Sequence, residues 1–294
     1  MKRIKTVLSF LLLLAATASM SGQVLYKVEG NGLKAPSYIF GTHHLAPISV
    51  IEEFGALEPY NSTQQVVGEI DMTQDQMAMQ LQMQPHMMAP ADSTLSKVIS
   101  PEDFKVISEE FKNWAPMPGM TLEMLDMLKP MAVNSMVAVT MATKSMPEFN
   151  AAEQLDSWFQ ISGKAAGKKI VPLETAEQQA VLLFDKTPIS IQAEALVEML
   201  KDPKKAMEST EQLTNAYMTQ DLAKMLELSE ADDEHPEFME AILDNRNADW
   251  LTKLPAIFAE GPTFVAVGAL HLAGDKGILE GLRKLGYSVT PVSK

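Results

Sequence analysis

Two apolar stretches, far apart in the chain, end in the same short pattern. Ser37-Tyr38-Ile39-Phe40 runs into Gly41-Thr42-His43-His44-Leu45-Ala46, and Thr263-Phe264-Val265-Ala266-Val267 runs into Gly268-Ala269-Leu270-His271-Leu272-Ala273. Both read as a strand followed by Gly-x-x-His-Leu-Ala. The chain has only five histidines, so their recurrence in one context marks His44 and His271 as a pair. Two other short apolar runs end in an acid: Glu69 after Gln65-Val66-Val67-Gly68, and Glu174 after Lys169-Ile170-Val171-Pro172-Leu173. Open α/β sheets bind ligands beyond the carboxyl ends of their strands. Parallel neighbours would therefore bring His44, Glu69, Glu174 and His271 to one edge. Two imidazoles with one or two carboxylates suit a divalent first-row metal. A carboxylate not bound to the ion would then act as general base on a metal-bound water.

Each of these residues also has a plainer reading. A histidine after a strand is more often a hydrogen-bonded structural residue than a ligand. His43 is a secondary candidate, because neighbours in extended chain face opposite ways. Glu69 sits in an apolar strand, where a bare carboxylate is costly, so it is expected to be paired or functional. Glu174 also suits a helix N-terminus. Further along, Arg246-Asn247-Ala248-Asp249-Trp250 places Arg246 and Trp250 on one helical face. Arg246 would pair with Glu69 or hold a substrate carboxylate; the plain reading is a surface arginine stacked on Trp250. The segment from Met72 to Met88 is rich in Met and Gln and contains His86. Thioethers with an imidazole suit Cu(I), but methionines also fill adaptable apolar surfaces, so a cover or substrate groove is the stronger expectation. His-Glu-x-x-His, Gly-x-Ser-x-Gly and phosphate-loop motifs are absent from the sequence.

The elements that must position these residues can be read from periodicity and punctuation. Residues 24–40 read as a hairpin turning at Gly30-Asn31-Gly32. Val50 to Leu57 reads as a helix ending before Pro59. Residues 72–150 read as a Met-rich helical insertion, with Ser100 capping a helix opened by Pro101 and another opened by Pro130. Ala151 to Lys164 reads as helix, and Thr175 with Gln178 forms a capping box for a helix through Phe184. Pro236 to Ala259 reads as helix with a break near Asp244, Pro262 to Val267 as a buried strand, and Tyr287 to Val292 as the last strand. Few short strands separated by helices predict an α/β fold: a central mixed sheet with surrounding helices and a helical insertion.

Lys2, Arg3 and Lys5 precede an apolar run from Val7 to Ala16 and small residues, the pattern of a secretory signal peptide over residues 1–21. Residues 22–294 are then expected to be one exported domain, secreted or periplasmic, with no transmembrane segment in the mature chain. The chain has no cysteine, so disulfides and thiolate ligands are excluded. Its formal net charge is −14, which repels phosphate backbones, so no nucleic-acid partner is expected.

The quoted residues together resemble the TraB/PrgY/GumN family, which includes the Tiki metalloproteases. The resemblance is carried by Gly41-Thr42-His43-His44-Leu45, Val67-Gly68-Glu69, Leu173-Glu174-Thr175 with Gln178, Arg246-Asn247 with Trp250, and the tail from Val267 to Val289. It implies a fold like that of the erythromycin-esterase and ChaN-like group, with two related halves each contributing a Gly-x-x-His. It implies a metal-dependent peptidase with a divalent ion (Mn, Co or Zn not distinguished) and a peptide or protein substrate. By position, His44 and His271 match the family histidines, Glu69 the early acidic residue, and Arg246 and Asn247 an Arg-Asn motif. In this reading His44, His271 and Glu69 bind the metal, Glu69 and Arg246 act on the substrate, and His43, Glu174 and Asn247 are further candidates. The alternative is a non-catalytic envelope protein using the same cleft for haem, a peptide signal or a glycan.

Overall fold

The computed structural model describes residues 23–146, 148–231 and 239–292. The signal-peptide reading of residues 1–21 lies outside them. Six strands form one mixed sheet: β1 (Leu25–Gly30), β2 (Ser37–Thr42), β3 (Gln65–Gly68), β4 (Lys169–Pro172), β5 (Thr263–Gly268) and β6 (Tyr287–Pro291), in the order β4-β3-β5-β2-β1-β6. β4, β3, β5 and β2 are parallel neighbours, and β1 and β6 extend the β2 side antiparallel. The carboxyl ends of four parallel strands therefore share one edge. Thr42 pairs with Gly268, the last residues of β2 and β5.

Among the described residues, thirteen α-helices surround this sheet. Before the long excursion come α1 (Val50–Glu53) and α2 (Leu57–Ser62). The segment between β3 and β4 holds α3 (Gln76–Met87), α4 (Leu95–Val98), α5 (Pro101–Trp114), α6 (Pro130–Ser145) and α7 (Leu155–Ala165). Between β4 and β5 lie α8 (Ala176–Ala180), α9 (Ile189–Lys201), α10 (Pro203–Met218), α11 (Leu222–Ala231) and α12 (Asn245–Glu260), and α13 (Ile278–Lys284) precedes β6. No described helix is long and apolar enough to cross a membrane.

Two cores organise these elements. The larger lies on the sheet and includes Phe40, Val66, Phe159, Trp250 and Phe264. The second is helical and joins Leu95, Ile107, Phe111, Val133 and Val137 to Leu196 and Leu200 of α9. The capping expected for α5 is present: Ser100 Oγ accepts from Asp103 N at 3.1 Å, with Pro101 in the first turn. The Thr175–Gln178 capping box is also formed.

Three boundaries differ from the sequence expectation. The helix begun at Val50 stops at Gly55, whose φ is 73°, and a second one runs through Pro59; a proline in the first turn lacks an N–H that the helix does not use. Residues 151–154 form a turn before α7, held by Ala152 N and Glu153 N bonding to Asn150. The helix after Thr175 gives way to a π turn over Val181–Asp185.

Candidate active site

The floor of the site is set by how α7 and α12 sit on the sheet. Phe159 of α7 packs at a tilt on Phe264 with ring centroids 4.8 Å apart and meets Phe40 edge-on at 5.3 Å. This contact carries the N-terminal turn of α7, with Asp156, over the end of β2. There Asp156 Oδ1 accepts from Thr42 Oγ1 at 2.7 Å, and Oδ2 lies 3.3 Å from His44 Nδ1. On α12, the buried stripe Asn247, Trp250, Leu254 and Phe258 faces the core. Arg246 borders this stripe and reaches across the ends of β5, β3 and β4. A second π turn, Glu240–Asp244, immediately precedes α12, and Ile242 O accepts from Arg246 Nη1 at 3.1 Å. π turns of this kind recur at functional sites.

Arg246 is the centre of the cluster. Its Nη2 donates to Glu69 Oε2 and to Glu174 Oε1, both at 2.5 Å, and its Nε donates to Glu174 Oε2 at 3.2 Å. Its Nη1 stands 3.1 Å from His271 Nε2, and the guanidinium lies 4.6 Å over the Trp250 ring. Glu69 is also held by Gly268 N–H at 2.9 Å and by Gln179 Nε2 at 3.2 Å, which bridges to Glu174 Oε1 at 3.2 Å. The backbone makes room for this. A Cβ on Gly41 would come within 2.9 Å of Ala269 Cα, so glycine permits the close approach of the two Gly-x-x-His turns.

The tautomer of His271 follows from its partners. Asn247 Nδ2 donates to Lys276 O at 3.1 Å, which turns Asn247 Oδ1 toward His271 Nδ1 at 2.7 Å. Nδ1 therefore carries the proton, and Nε2 is a bare acceptor facing Arg246. Burial, with Arg246 adding to it against the pull of Glu69, lowers the His271 pKa to about 4, so the ring is neutral at pH 7. Burial pushes the Glu69 carboxyl up, but His271 when charged, Arg246 and the Gly268 amide outweigh it and hold Glu69 at about 2. At neutral pH, where His271 is uncharged, Arg246 and the amide act alone and Glu69 is ionised. Burial raises Glu174 against its hydrogen bond to Arg246.

His44 is held in the opposite state. Its contact with the Asp156 carboxylate outweighs desolvation and raises its pKa to about 9. The ring is 72% exposed, so water screens the pair; the favoured state is the protonated one. His43 is placed elsewhere. Its Nε2 meets Thr214 Oγ1 at 3.0 Å, and Thr214 already donates to Thr210 O, so His43 is the donor and ties β2 to α10. Burial, then the neighbouring His44, lowers its pKa to about 4.

Arg246, Glu69, Glu174, His271 and Asn247 are thus in direct contact, His44 stands on the rim with Asp156, and His43 points away to α10. Two participants have no sequence expectation behind them. Asp156 meets His44 across a chain separation that no periodicity spans; its only signal is an acid in the first turn of a helix. Gln179 follows a legible capping box, but nothing local says that its amide reaches back to two carboxylates.

The donor set has the chemistry of a divalent-metal site, and its placement does not. His271 Nε2 faces Arg246 Nη1, and both Glu69 oxygens accept from Arg246 or Gly268. Among the described residues, no three His, Asp or Glu side chains are placed to hold an ion. The cation between Glu69, Glu174 and His271 is the guanidinium itself, so as arranged these residues do not fit a metal there. Two buried atoms at the site lack a hydrogen bond among the described residues: Trp250 Nε1, and Asp156 Oδ2, which has the His44 ring beside it.

The family model described as TraB/PrgY/gumN family matches residues 24–291. No curated protein and no solved structure matches the chain significantly.

Proposed function

The chain belongs to the TraB/PrgY/gumN family, and on that footing we propose that it is an exported hydrolase, of the peptidase class, acting at the carboxyl edge of the parallel strands. The observation that carries the reading is the pair of histidines set in opposite surroundings at neighbouring strand ends, His271 buried with Asn247 on Nδ1 and His44 exposed beside Asp156. His271 is neutral with a bare Nε2, and His44 is protonated beside Asp156. Titratable groups driven apart in this way supply a base and an acid at one pH. His271 exchanges the Arg246 Nη1 contact at its Nε2 for the attacking water and takes the water's proton, and His44 delivers one to the leaving amine. Arg246 stands beside His271 as the fixed positive charge for the developing oxyanion, and Glu69, Glu174 and Gln179 hold its fork in place. Asn247 fixes the His271 tautomer. No step is routed through a metal, because the donors are already engaged with Arg246.

The test is turnover of a diverse peptide library, read by mass spectrometry, with wild type and the His44→Ala, His271→Ala and Glu69→Gln variants. Cleavage by wild type with a loss of about 10²-fold or more in each histidine variant is expected, the scale of general acid–base catalysis. Wild-type cleavage that survives both histidine changes removes the assignment. Absence of turnover, with peptide or glycan binding that Glu69→Gln leaves intact, replaces it with the non-catalytic binding reading.

A further inference from the structure

Away from the strand ends, α6 presents a second apolar face. Val133, Val137 and Met141 are buried in the helical core. Ala132, Met136, Val139, Thr140 and Thr143 follow one another at helical spacing on another side and line a groove of about 850 Å³ with the segment 115–119. The volume falls in the usual range for small-molecule sites. Val139 is 45% exposed and Met117, on the opposite wall, 58%. A helix apolar on nearly every side is ordinarily enclosed; this one is open along the groove.

The groove is charged at one end only. Its charged lining residues are Lys112 and Lys144, with no acid among them, in a chain of net charge −14. Lys144 Nζ bonds Asn113 O at 2.5 Å and lies over the Trp114 ring, which puts it beside the turn bearing Lys112. The far end, at Ala132 and Met87, is uncharged; its polar side chain, Ser135, donates its hydroxyl to Met131 O at 2.9 Å. Lys112 pairs at the rim with the exposed Glu109, a kind of contact that contributes little and that an anion can replace. From Ala132 to Lys144 the helix rises about 18 Å.

We propose that this groove binds a single-chain fatty acid, with its carboxylate between Lys112 and Lys144 and its tail running along α6 toward Met87. The length, the one-ended positive charge and the adaptable methionine wall fit an anionic head on one long apolar chain. An extended chain advances about 1.25 Å per carbon, from the C–C bond length, so the groove accepts about fourteen carbons. The site is separate from the strand-end cluster and does not depend on its activity.

The experiment is isothermal titration of the mature chain with laurate, myristate and palmitate below their aggregation concentrations. Affinity should rise about tenfold for each two methylenes, as apolar burial predicts, and level off near fourteen carbons. Tetradecyltrimethylammonium, with the same tail and a cationic head, should bind at least tenfold more weakly than myristate. Lys112→Gln with Lys144→Gln should remove that preference, and Val139→Arg, at an exposed position, should abolish binding with an unchanged melting temperature. Equal binding of the cationic amphiphile, or myristate affinity untouched by Val139→Arg, overturns the proposal. A concentration-dependent dimer dispersed by Val139→Arg, or an uncharged apolar peptide displacing myristate at equal affinity, overturns it in favour of a second copy or a peptide partner.

Discussion

Asp156 decides what His44 can do. Without its carboxylate, the exposed ring would titrate near the ordinary histidine value of about 6.5 and be mostly neutral at pH 7. With it, the acid form extends to higher pH, at most to about 9. His271 must be neutral to act as base, which sets an acid limb near about 4. Turnover should therefore plateau between an acid limb near pH 4 and an alkaline limb between pH 6.5 and 9. Asp156→Asn should move the alkaline limb toward 6.5 and leave the acid limb in place. A kcat/KM profile of both proteins checks this; an alkaline limb that does not move takes His44 out of the acid role.

Arg246 poses the complementary question at the same scale. It supplies the positive charge that two buried carboxylates require, so removing it leaves Glu69 and Glu174 facing each other. Breaking a buried ion pair by deleting one partner costs about 3–5 kcal/mol, and Arg246→Ala should lower stability by that order in urea unfolding. The same change frees His271 Nε2 and leaves Glu69 Oε2 with the Gln179 amide alone. Arg246→Ala should then bind Mn²⁺, Co²⁺ or Zn²⁺ more tightly than wild type in equilibrium dialysis. If wild type instead carries stoichiometric metal that His44→Ala/His271→Ala loses, the guanidinium is not the cation of this site and the two-histidine metal reading returns.

At the scale of elements, the strand ends were legible and the helices that cover them only partly so. His44, Glu69, Glu174 and His271 stood out because apolar runs with a glycine or an acid at the end are local signals, and the parallel order β4-β3-β5-β2 brings those ends together. The caps at Ser100 and Thr175 were equally local. The break near Asp244 has its counterpart in the π turn Glu240–Asp244; what escaped was settled by packing between segments remote in sequence: Asp156 carried to His44 by the seat of α7, Gln179 reaching back from α8, and the π turn after Ala180. Glycine gives a test of that packing. A Cβ on Gly68 would fall 2.0 Å from Gln160 Nε2. Gln160 is 1% exposed and ties α7 to the chain after β3 through Ile70 O and Met72 N. Gly68→Ala should cost about 1–3 kcal/mol, the range for an overpacked core, and shift Glu69 with it, lowering kcat along with the melting temperature. A variant of wild-type stability and activity would show that Gln160 does not hold the end of β3.

For the molecule as a whole, the buried cluster and the net charge pull stability in opposite directions as pH falls. His271 titrates at about 4 in the fold against about 6.5 in an unfolded chain. The folded state therefore favours the neutral ring, and its contribution is complete above pH 6.5 and lost as pH falls through 4, about 3 kcal/mol in all. Glu69, held at about 2 against an ordinary value of 4.5, contributes above pH 4.5 and loses this as pH falls through 2. Against both, protonating surface carboxylates relieves the self-repulsion of a chain at −14, and that relief belongs mainly below pH 5. Between pH 6.5 and 5 the buried histidines thus act almost alone, His43, also held at about 4, adding to His271. Stability from urea unfolding should fall across that interval in wild type and fall less in His271→Gln, which has no proton to gain. Parallel slopes for the two proteins would mean that His271 is not the neutral, buried base on which the site is built.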